Sequence, residues 1–426
     1  MYWVNFVKKL ILTSELGRKM YIAEAALEYL ISLLVSGSFL AILTKQLGFS
    51  DSLTGILSSV ISLGCLFQLI SVTLKRKRVK SIVITLSIIN QLLFMLLYII
   101  PLLECNKQIK IALFVVIIVL AYIIYNFAHP KKINWMMSLV DDNKRGMFTA
   151  NKEIISLISG MVFSFIMGAV TDHFSNRGRT ITALIIAAAV IFAIMLCHTI
   201  SMLLTVEKEL PSTTNKTFRE EFGTVFKDKK IIRVALVSML YYISYYASTP
   251  FYGAYKIGDL GFSLKLVSAL VICTSISRVL FSKFWGRYAD KKSFAIMIEK
   301  CLLVMLVSMV FMMFAVPSNG KVMVAIYCVL SGIAMGGTNS ALTNMVFDYA
   351  PYEKRSNCLA VCQAISGVVG FLTTICVSPI VSYIQKNGNS IWGFNVYAPQ
   401  VVTAISICFM IITILYVRIV LINKKR

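Results

Sequence analysis

The stretch Glu28–Ser50, EYLISLLVSGSFLAILTKQLGFS, returns half a chain later as Leu240–Ser263, LYYISYYASTPFYGAYKIGDLGFS. Tyr29, Ile31, Ser32, Ser36 and Phe39 recur as Tyr241, Ile243, Ser244, Ser248 and Phe251, and Leu47-Gly-Phe-Ser50 recurs unchanged as Leu260-Gly-Phe-Ser263. Nearly the same offset superposes Lys144-Arg145 on Lys354-Arg355 and Asn134 on Asn344. A match that repeats at one offset marks a tandem duplication, and a repeat on this scale governs how every local motif is read.

Composition says what was duplicated. Of 426 residues, 58% are hydrophobic and 14% charged, outside the range of soluble globular chains. Apolar runs recur throughout, each of the roughly 20 residues needed for a helix to cross a bilayer. Barrel strands would alternate rather than run apolar. The expected spans are 20–44, 52–74, 81–103, 111–140, 147–171, 180–205, 231–255, 263–282, 294–316, 322–347, 357–383 and 399–421. That is six and six: an all-α membrane protein, with a first bundle over 1–205, a polar connection over 206–230 and a second bundle over 231–426. No short apolar segment with a cleavage site opens the chain, so the first span reads as an anchor rather than a signal peptide.

The net charge of +23 could suggest nucleic acid, but the Lys and Arg sit in short clusters between spans. Their bias to alternate loops places both termini in the cytoplasm of a multi-pass cell membrane protein. The ten cysteines are scattered singly, and the three histidines, His129, His173 and His198, have no ligand spacing along the chain. No disulfide framework, metal site or cofactor is expected. No Gly-x-x-x-x-Gly-Lys-(Ser/Thr) loop for ATP occurs.

Between the eighth and ninth spans stands Gly286-Arg-Tyr-Ala-Asp290-Lys-Lys292, and basic turns precede the fifth and eleventh spans at Asp141-Asp-Asn-Lys-Arg145 and Pro351-Tyr-Glu-Lys-Arg355. With two parallel six-helix halves, these features resemble the major facilitator superfamily, whose signature loop reads Gly-x-x-x-Asp-(Arg/Lys). The later Gly and basic pair of that signature are missing here. The resemblance covers essentially the whole chain. It implies a secondary transporter working by alternating access, a monomer in the lipid bilayer, with spans 1, 4, 7 and 10 lining a cavity. It also implies a cytoplasmic gate at Arg145, Gly286, Asp290 and Arg355, in which Asp290 and Arg355 form a clasp.

The duplication supplies its own control, because ionisable groups present in one half and absent from the other are not demanded by the architecture. On span 1, Glu24, Glu28, Ser32 and Ser36 recur at four-residue spacing and share one helix face. The copy reads Leu236, Leu240, Ser244 and Ser248: the serines stay and the carboxylates go. On span 4, His129, Lys131 and Lys132 correspond to Asn339, Ala341 and Leu342; on span 5, Lys152 and Glu153 correspond to Cys362 and Gln363. Charges at such depth must pair or face water. Two carboxylates one turn apart repel when both are ionised, so Glu28, with Glu24, is suited to carry a coupling proton. The plainer alternative is a structural ion-pair network in which Glu24 and Lys152 snorkel to the interface. Lys131 and Lys132 point about 100° apart and cannot both serve one site; Pro130 leaves the choice between them open.

Span 7 gathers Tyr241, Tyr242, Tyr245, Tyr246, Phe251, Tyr252 and Tyr255 around Pro250. Tyrosines along a cavity suit a polar organic solute, with Tyr241 and Tyr245 as candidate contacts, or else they are interfacial and packing residues. Asn134, Asn344, Asn339 and Gln363 complete the candidate polar set. Gly332, Gly336 and Gly337 read as close helix contact, and Arg278 as a snorkelling residue near the inner end of span 8. The leading reading is proton-coupled symport of a sugar, glycoside or organic anion. Its rival is multidrug efflux by proton antiport, disfavoured because Ile158–Gly168 lacks the Gly-Pro signature common in the family's antiporters. A polytopic membrane enzyme is the remote alternative.

Overall fold

The computed structural model describes residues 14–73, 78–140, 145–207, 229–349, 355–391 and 394–423. Most of the polar connection over 206–230 therefore lies outside the described residues. The chain is all-helical: α1 (Ser14–Leu34), α2 (Gly37–Gln46), α3 (Asp51–Thr73), α4 (Lys80–Ile99), α5 (Lys107–Met137), α6 (Arg145–Ser175), α7 (Thr180–Leu204), α8 (Lys229–Tyr246), α9 (Tyr252–Ile257), α10 (Leu264–Lys291), α11 (Phe294–Met313), α12 (Gly320–Tyr349), α13 (Arg355–Lys386) and α14 (Ala398–Tyr416). A hairpin of two-residue strands, β1 (Ser390–Ile391) and β2 (Phe394–Asn395), is the one exception among the described residues. Among the described residues, eleven stretches are long and apolar enough to cross a membrane, and twelve when α1 and α2, bent by 42° at their junction, count as one span. Large side chains such as Ile181, Leu280 and Val322 stand exposed, an unfavourable surface in water and the expected one against lipid.

The duplicated stretch explains itself locally. Gly48 and Gly261 both adopt left-handed backbone, with φ of 68° and 63°, a conformation that glycine takes without steric cost. The serines two residues on then start the next helices: Ser50 Oγ accepts from Leu53 N–H and Ser263 Oγ from Leu266 N–H, each at 3.2 Å, which satisfies a donor that a helix start leaves orphaned. Leu-Gly-Phe-Ser is thus a stop-and-restart signal between spans 1 and 2 and between spans 7 and 8. Both copies also break upstream of it. Span 1 breaks between Leu34 and Gly37, and span 7 passes through a 3₁₀ turn at Thr249–Phe251 around Pro250. The carbonyls freed by these breaks are met by side chains: Leu34 and Val35 accept from the Tyr98 and Tyr122 hydroxyls, and Tyr246 accepts from Thr374. Without water, a break in a spanning helix persists only where such partners exist.

The chain divides into two compact units, one of residues 1–47 and 67–215, the other of residues 48–66 and 216–426. Within the first, α1 packs on α6 and α7, and α4 packs on α5 and α7. Within the second the pattern recurs, with α8 on α13 and α14, and α11 on α12 and α14. The helix α3 is shared: residues to Leu66 group with the second unit, and those from Phe67 onward with the first. Its last turns reach α5 through Gln68 to Asn126 (2.7 Å). At one end of the first unit, capping is reciprocal. Glu207 Oε1 accepts from the Val79 and Lys80 N–H groups at the start of α4, while Lys80 Nζ donates to the Leu203 and Thr205 carbonyls at the end of α7. Opposite charges thus meet opposite helix ends, as the dipoles favour.

In the second unit, α10 and α12 approach closely enough to require glycine. A Cβ on Gly332 would overlap the Thr274 carbonyl oxygen, and one on Gly336 would come 2.9 Å from the Arg278 carbonyl oxygen. These obstacles are backbone and cannot rotate away. Gly332→Val is therefore expected to separate the two helices and lower stability by about 1–3 kcal/mol, read as a reduced melting temperature of the detergent-solubilised protein.

Candidate functional site

Three elements of the first unit bring charge together. Glu24 and Glu28 lie one turn apart on α1, so both face the same neighbours. Lys132 on α5 reaches them from one side: its Nζ lies 2.7 Å from Glu24 Oε1 and also contacts Glu28 Oε2. His198 on α7 reaches them from the other, with Nε2 3.0 Å from Glu24 Oε1 and 3.8 Å from Glu28 Oε2. A fourth helix closes the chain of contacts, since Gln91 Nε2 on α4 lies 3.0 Å from His198 Nδ1. Glu24, Gln91, Lys132 and His198 are all buried, and Glu28 is the one member with appreciable exposure, 17% of its side chain.

The hydrogen bonds fix their own direction. An ionised carboxylate only accepts, so with Glu24 as the counter-ion of Lys132, His198 Nε2 must carry its proton toward Glu24. His198 Nδ1 is then an acceptor and receives the Gln91 amide N–H. Two carboxylates share one ammonium in direct contact, and the His198 ring braces the inner of the two. Glu24 is fully buried and keeps two partners on Oε1, whereas its Oε2 has none. The snorkelling alternative for Glu24 is thereby corrected: its carboxylate turns into the bundle because α5 and α7 offer it a cation and a donor there.

The two lysines go different ways, as their divergence on the helix requires. Lys131 Nζ donates to the Ser71 carbonyl (2.8 Å) and hydroxyl (2.9 Å) and lies 4.6 Å from the centre of the Phe127 ring. It thus sits near the C-terminal end of α3, where a cation is favoured. His129 does not join the ion pairs. Its ring lies 5.2 Å from that of Tyr125, and its buried Nδ1 has no hydrogen-bond partner. A narrow cleft beside the ion pairs is lined by Glu28, Ser87, Asn90, Gln91, Tyr125, His129 and Lys132 among others, with about 10 Å³ open to water centres, room for one water-sized group.

The remaining candidates fall elsewhere. Ser32 donates to the Tyr29 carbonyl of its own helix. Lys152 Nζ lies 5.2 Å from the centre of the Tyr21 ring. Asn134, Glu153, Asn339 and Gln363 are exposed, and Asn344 donates to the Ser340 carbonyl one turn back. In the second unit, Tyr241 and Tyr245 belong to a four-ring cluster with Tyr242 and Tyr246, with neighbouring centroids 5.5–6.0 Å apart. Gly286 and Asp290, expected in a loop, stand exposed on the last turns of α10, which runs on to Lys291. The same extension places Arg278 in the middle of that helix and not near its end. Helices α6 and α13 begin at Arg145 and Arg355, whose side chains lie outside the described residues.

His198 and Gln91 are the members that a search along the chain misses. Spacing along the chain relates the histidines only to one another, and His198 finds its partners on other helices. Its donor nitrogen and the carboxylate oxygens of Glu24 and Glu28 lie within 4.8 Å of one another, a separation that could hold a metal ion, but the Lys132 ammonium already supplies a cation to both carboxylates.

Comparison with known proteins places the fold. Solved structures with a similar fold include a mutant form of the nucleoside transporter NupG (13% identity, TM-score 0.72, covering 95% of this chain and 99% of that one). A bacterial homolog of the human lysosomal transporter Spinster, in an inward-facing and unoccupied conformation, has 13% identity and a TM-score of 0.68, covering 95% of each chain. A D-xylose–proton symporter has 13% identity and a TM-score of 0.63, covering 95% of this chain and 97% of that one. No curated protein sequence matches. The family model described as Major Facilitator Superfamily matches residues 25–374, from the first carboxylate-bearing helix into the eleventh span, and the chain therefore belongs to the major facilitator superfamily and is a multi-pass membrane transporter, not an enzyme.

Proposed function

We propose that this transporter is a proton-coupled symporter of a small polar organic solute, a sugar, glycoside or organic anion, and that Glu28 carries the proton. One observation carries the reading: two carboxylates converge on a single ammonium, and only the Glu28 carboxylate is partly accessible. A proton on Glu28 leaves the Lys132–Glu24 pair intact. Lys152 Nζ lies over the Tyr21 ring. Two charge states of similar cost, distinguished by one proton at an accessible atom, are what coupling by alternating access requires.

Around this centre, the reading places a six-helix bundle over 1–205 and another over 231–426, joined by a cytoplasmic connection, with both termini in the cytoplasm of the cell membrane. Within the second bundle, Tyr241 and Tyr245 are the residues suited to contact a polar solute. Asp290 and Arg355 close the cytoplasmic side, with Gly286 and Arg145 at the corresponding turns. The chain acts as a monomer.

The experiment is solute-triggered proton movement in proteoliposomes, with sugars, organic acids and lipophilic cations offered in turn. Inward proton flow on addition of a sugar or acid is the expected result. Flow opposite to a lipophilic cation would establish efflux by antiport instead, and transport without proton movement would leave an uncoupled carrier.

A further inference from the structure

The cleft beside Glu28 holds two buried polar atoms that no neighbouring group meets, one of them a carbonyl oxygen that can only accept. Gln91 is 2% exposed, and its carbonyl oxygen has no hydrogen-bond partner. That orientation is imposed by the cluster: Glu24 takes the His198 Nε2 proton, the bare Nδ1 takes the Gln91 N–H, and the carbonyl oxygen is what the amide has left. His129 adds a second buried, unpartnered atom, Nδ1, which a hydroxyl can meet in either tautomer of the ring, and Glu28 adds a carboxylate that accepts. Buried acceptors left unmet are costly, so the cleft favours an occupant that donates.

The surroundings narrow what that occupant is. An anion would bring further acceptors, and the cation of the lining, Lys132, is already engaged by both Glu24 and Glu28. A cation would have to settle beside the same ammonium. A neutral group that donates a hydrogen bond and is the size of a water molecule fits both constraints. Resting on the transport reading above, we propose that this cleft is a subsite for one hydroxyl group of a neutral polyhydroxylated solute, with Gln91 and His129 as its specificity-determining residues. Within the solute classes considered, sugars and glycosides are selected over organic anions.

The test measures binding to the purified full-length protein in detergent. The probes are pentoses and hexoses, the monodeoxy analogues of each, and mono- and dicarboxylates. A sugar should bind, and removal of one particular hydroxyl should weaken it about tenfold or more, since the acceptors are then left unpaired. In Gln91→Met, which conserves volume, that sugar should fall to the level of its deoxy analogue. Because Gln91→Met also removes the partner of His198 Nδ1, the readout is the ratio of sugar to deoxy-analogue affinity, which should fall to about one, with folding checked by the monodisperse fraction on size exclusion. Equal weakening of the sugar and all its deoxy analogues in Gln91→Met would overturn the subsite, and so would a wild-type protein that holds carboxylates while holding no sugar. The two readings fail separately. Discrimination by one hydroxyl without proton movement would remove the coupling and keep the subsite, whereas proton-driven uptake of a carboxylate would keep the coupling and remove the subsite.

Discussion

Lys132→Met is expected to cost far more than Lys131→Met, although the residues are neighbours and both are buried. Removing Lys132 strands Glu24 and Glu28, one fully buried, without the ammonium that both contact. Breaking a buried pair by deleting one partner costs about 3–5 kcal/mol, because the other charge is left uncompensated. Lys131 reaches a carbonyl, a hydroxyl and an aromatic face and neither of the α1 carboxylates that Lys132 contacts, so its loss should cost about 1.5–3 kcal/mol, the range for hydrogen bonds to a charged group. The measurement is the melting temperature in detergent, with the monodisperse fraction on size exclusion. The double variant Lys132→Met, Glu24→Gln should recover much of the loss, since it removes the stranded anion together with its partner. Equal losses for the two single variants, or no recovery in the double, would mean that the cluster is not held by ion pairing.

This contrast between adjacent lysines also marks where sequence reasoning stopped. Periodicity establishes that Lys131 and Lys132 diverge, and the duplication establishes that neither is required by the architecture. Which of them meets the α1 carboxylates depends on how a helix containing Pro130 is rotated against its neighbours, and that is a matter of packing. His198 is a different kind of miss. It lies in the strongly apolar span Thr180–Leu204, where an imidazole without a partner would be expensive. That cost is a usable signal, as is Gln91 in the apolar span Lys80–Leu102. Both point to a partner on another helix without saying which.

Other features were legible because they are local. The Leu-Gly-Phe-Ser repeats state both the left-handed glycine and the serine cap in four letters. The glycines of α12 mark a close approach, though not its partner. By contrast, span limits read from hydropathy follow bilayer thickness and not helix length. That is why the signature around Gly286 and Asp290 reads as a loop in sequence and is helical in the structure. The division of α3 between the two units has no counterpart in the repeat, because it depends on which neighbours each half of the helix meets.

Glu28→Gln is expected to abolish accumulation of solute against its gradient while sparing exchange. With one proton moved per solute, an inward gradient of one pH unit supplies about 1.4 kcal/mol and sustains roughly tenfold accumulation. The glutamine keeps the size of the side chain and cannot change its charge. Lys132 retains Glu24 at 2.7 Å, and His198 retains Glu24 at 3.0 Å. The variant thus resembles the protonated form of the cluster, held permanently, and accumulation should fall to unity. Counterflow, which needs only the solute-bound form to reorient, should persist within a few-fold of the unaltered protein. Glu24→Gln is the necessary comparison. It removes the ionised partner from the fully buried position and leaves Lys132 with the more accessible carboxylate, so it should lower stability more than Glu28→Gln does. Tenfold accumulation by Glu28→Gln would move the proton to another carrier and return Glu28 to a purely structural ion pair. Loss of counterflow together with accumulation would instead show that the carboxylate is needed for reorientation itself, since a residue that only carries the driving ion should leave that step intact.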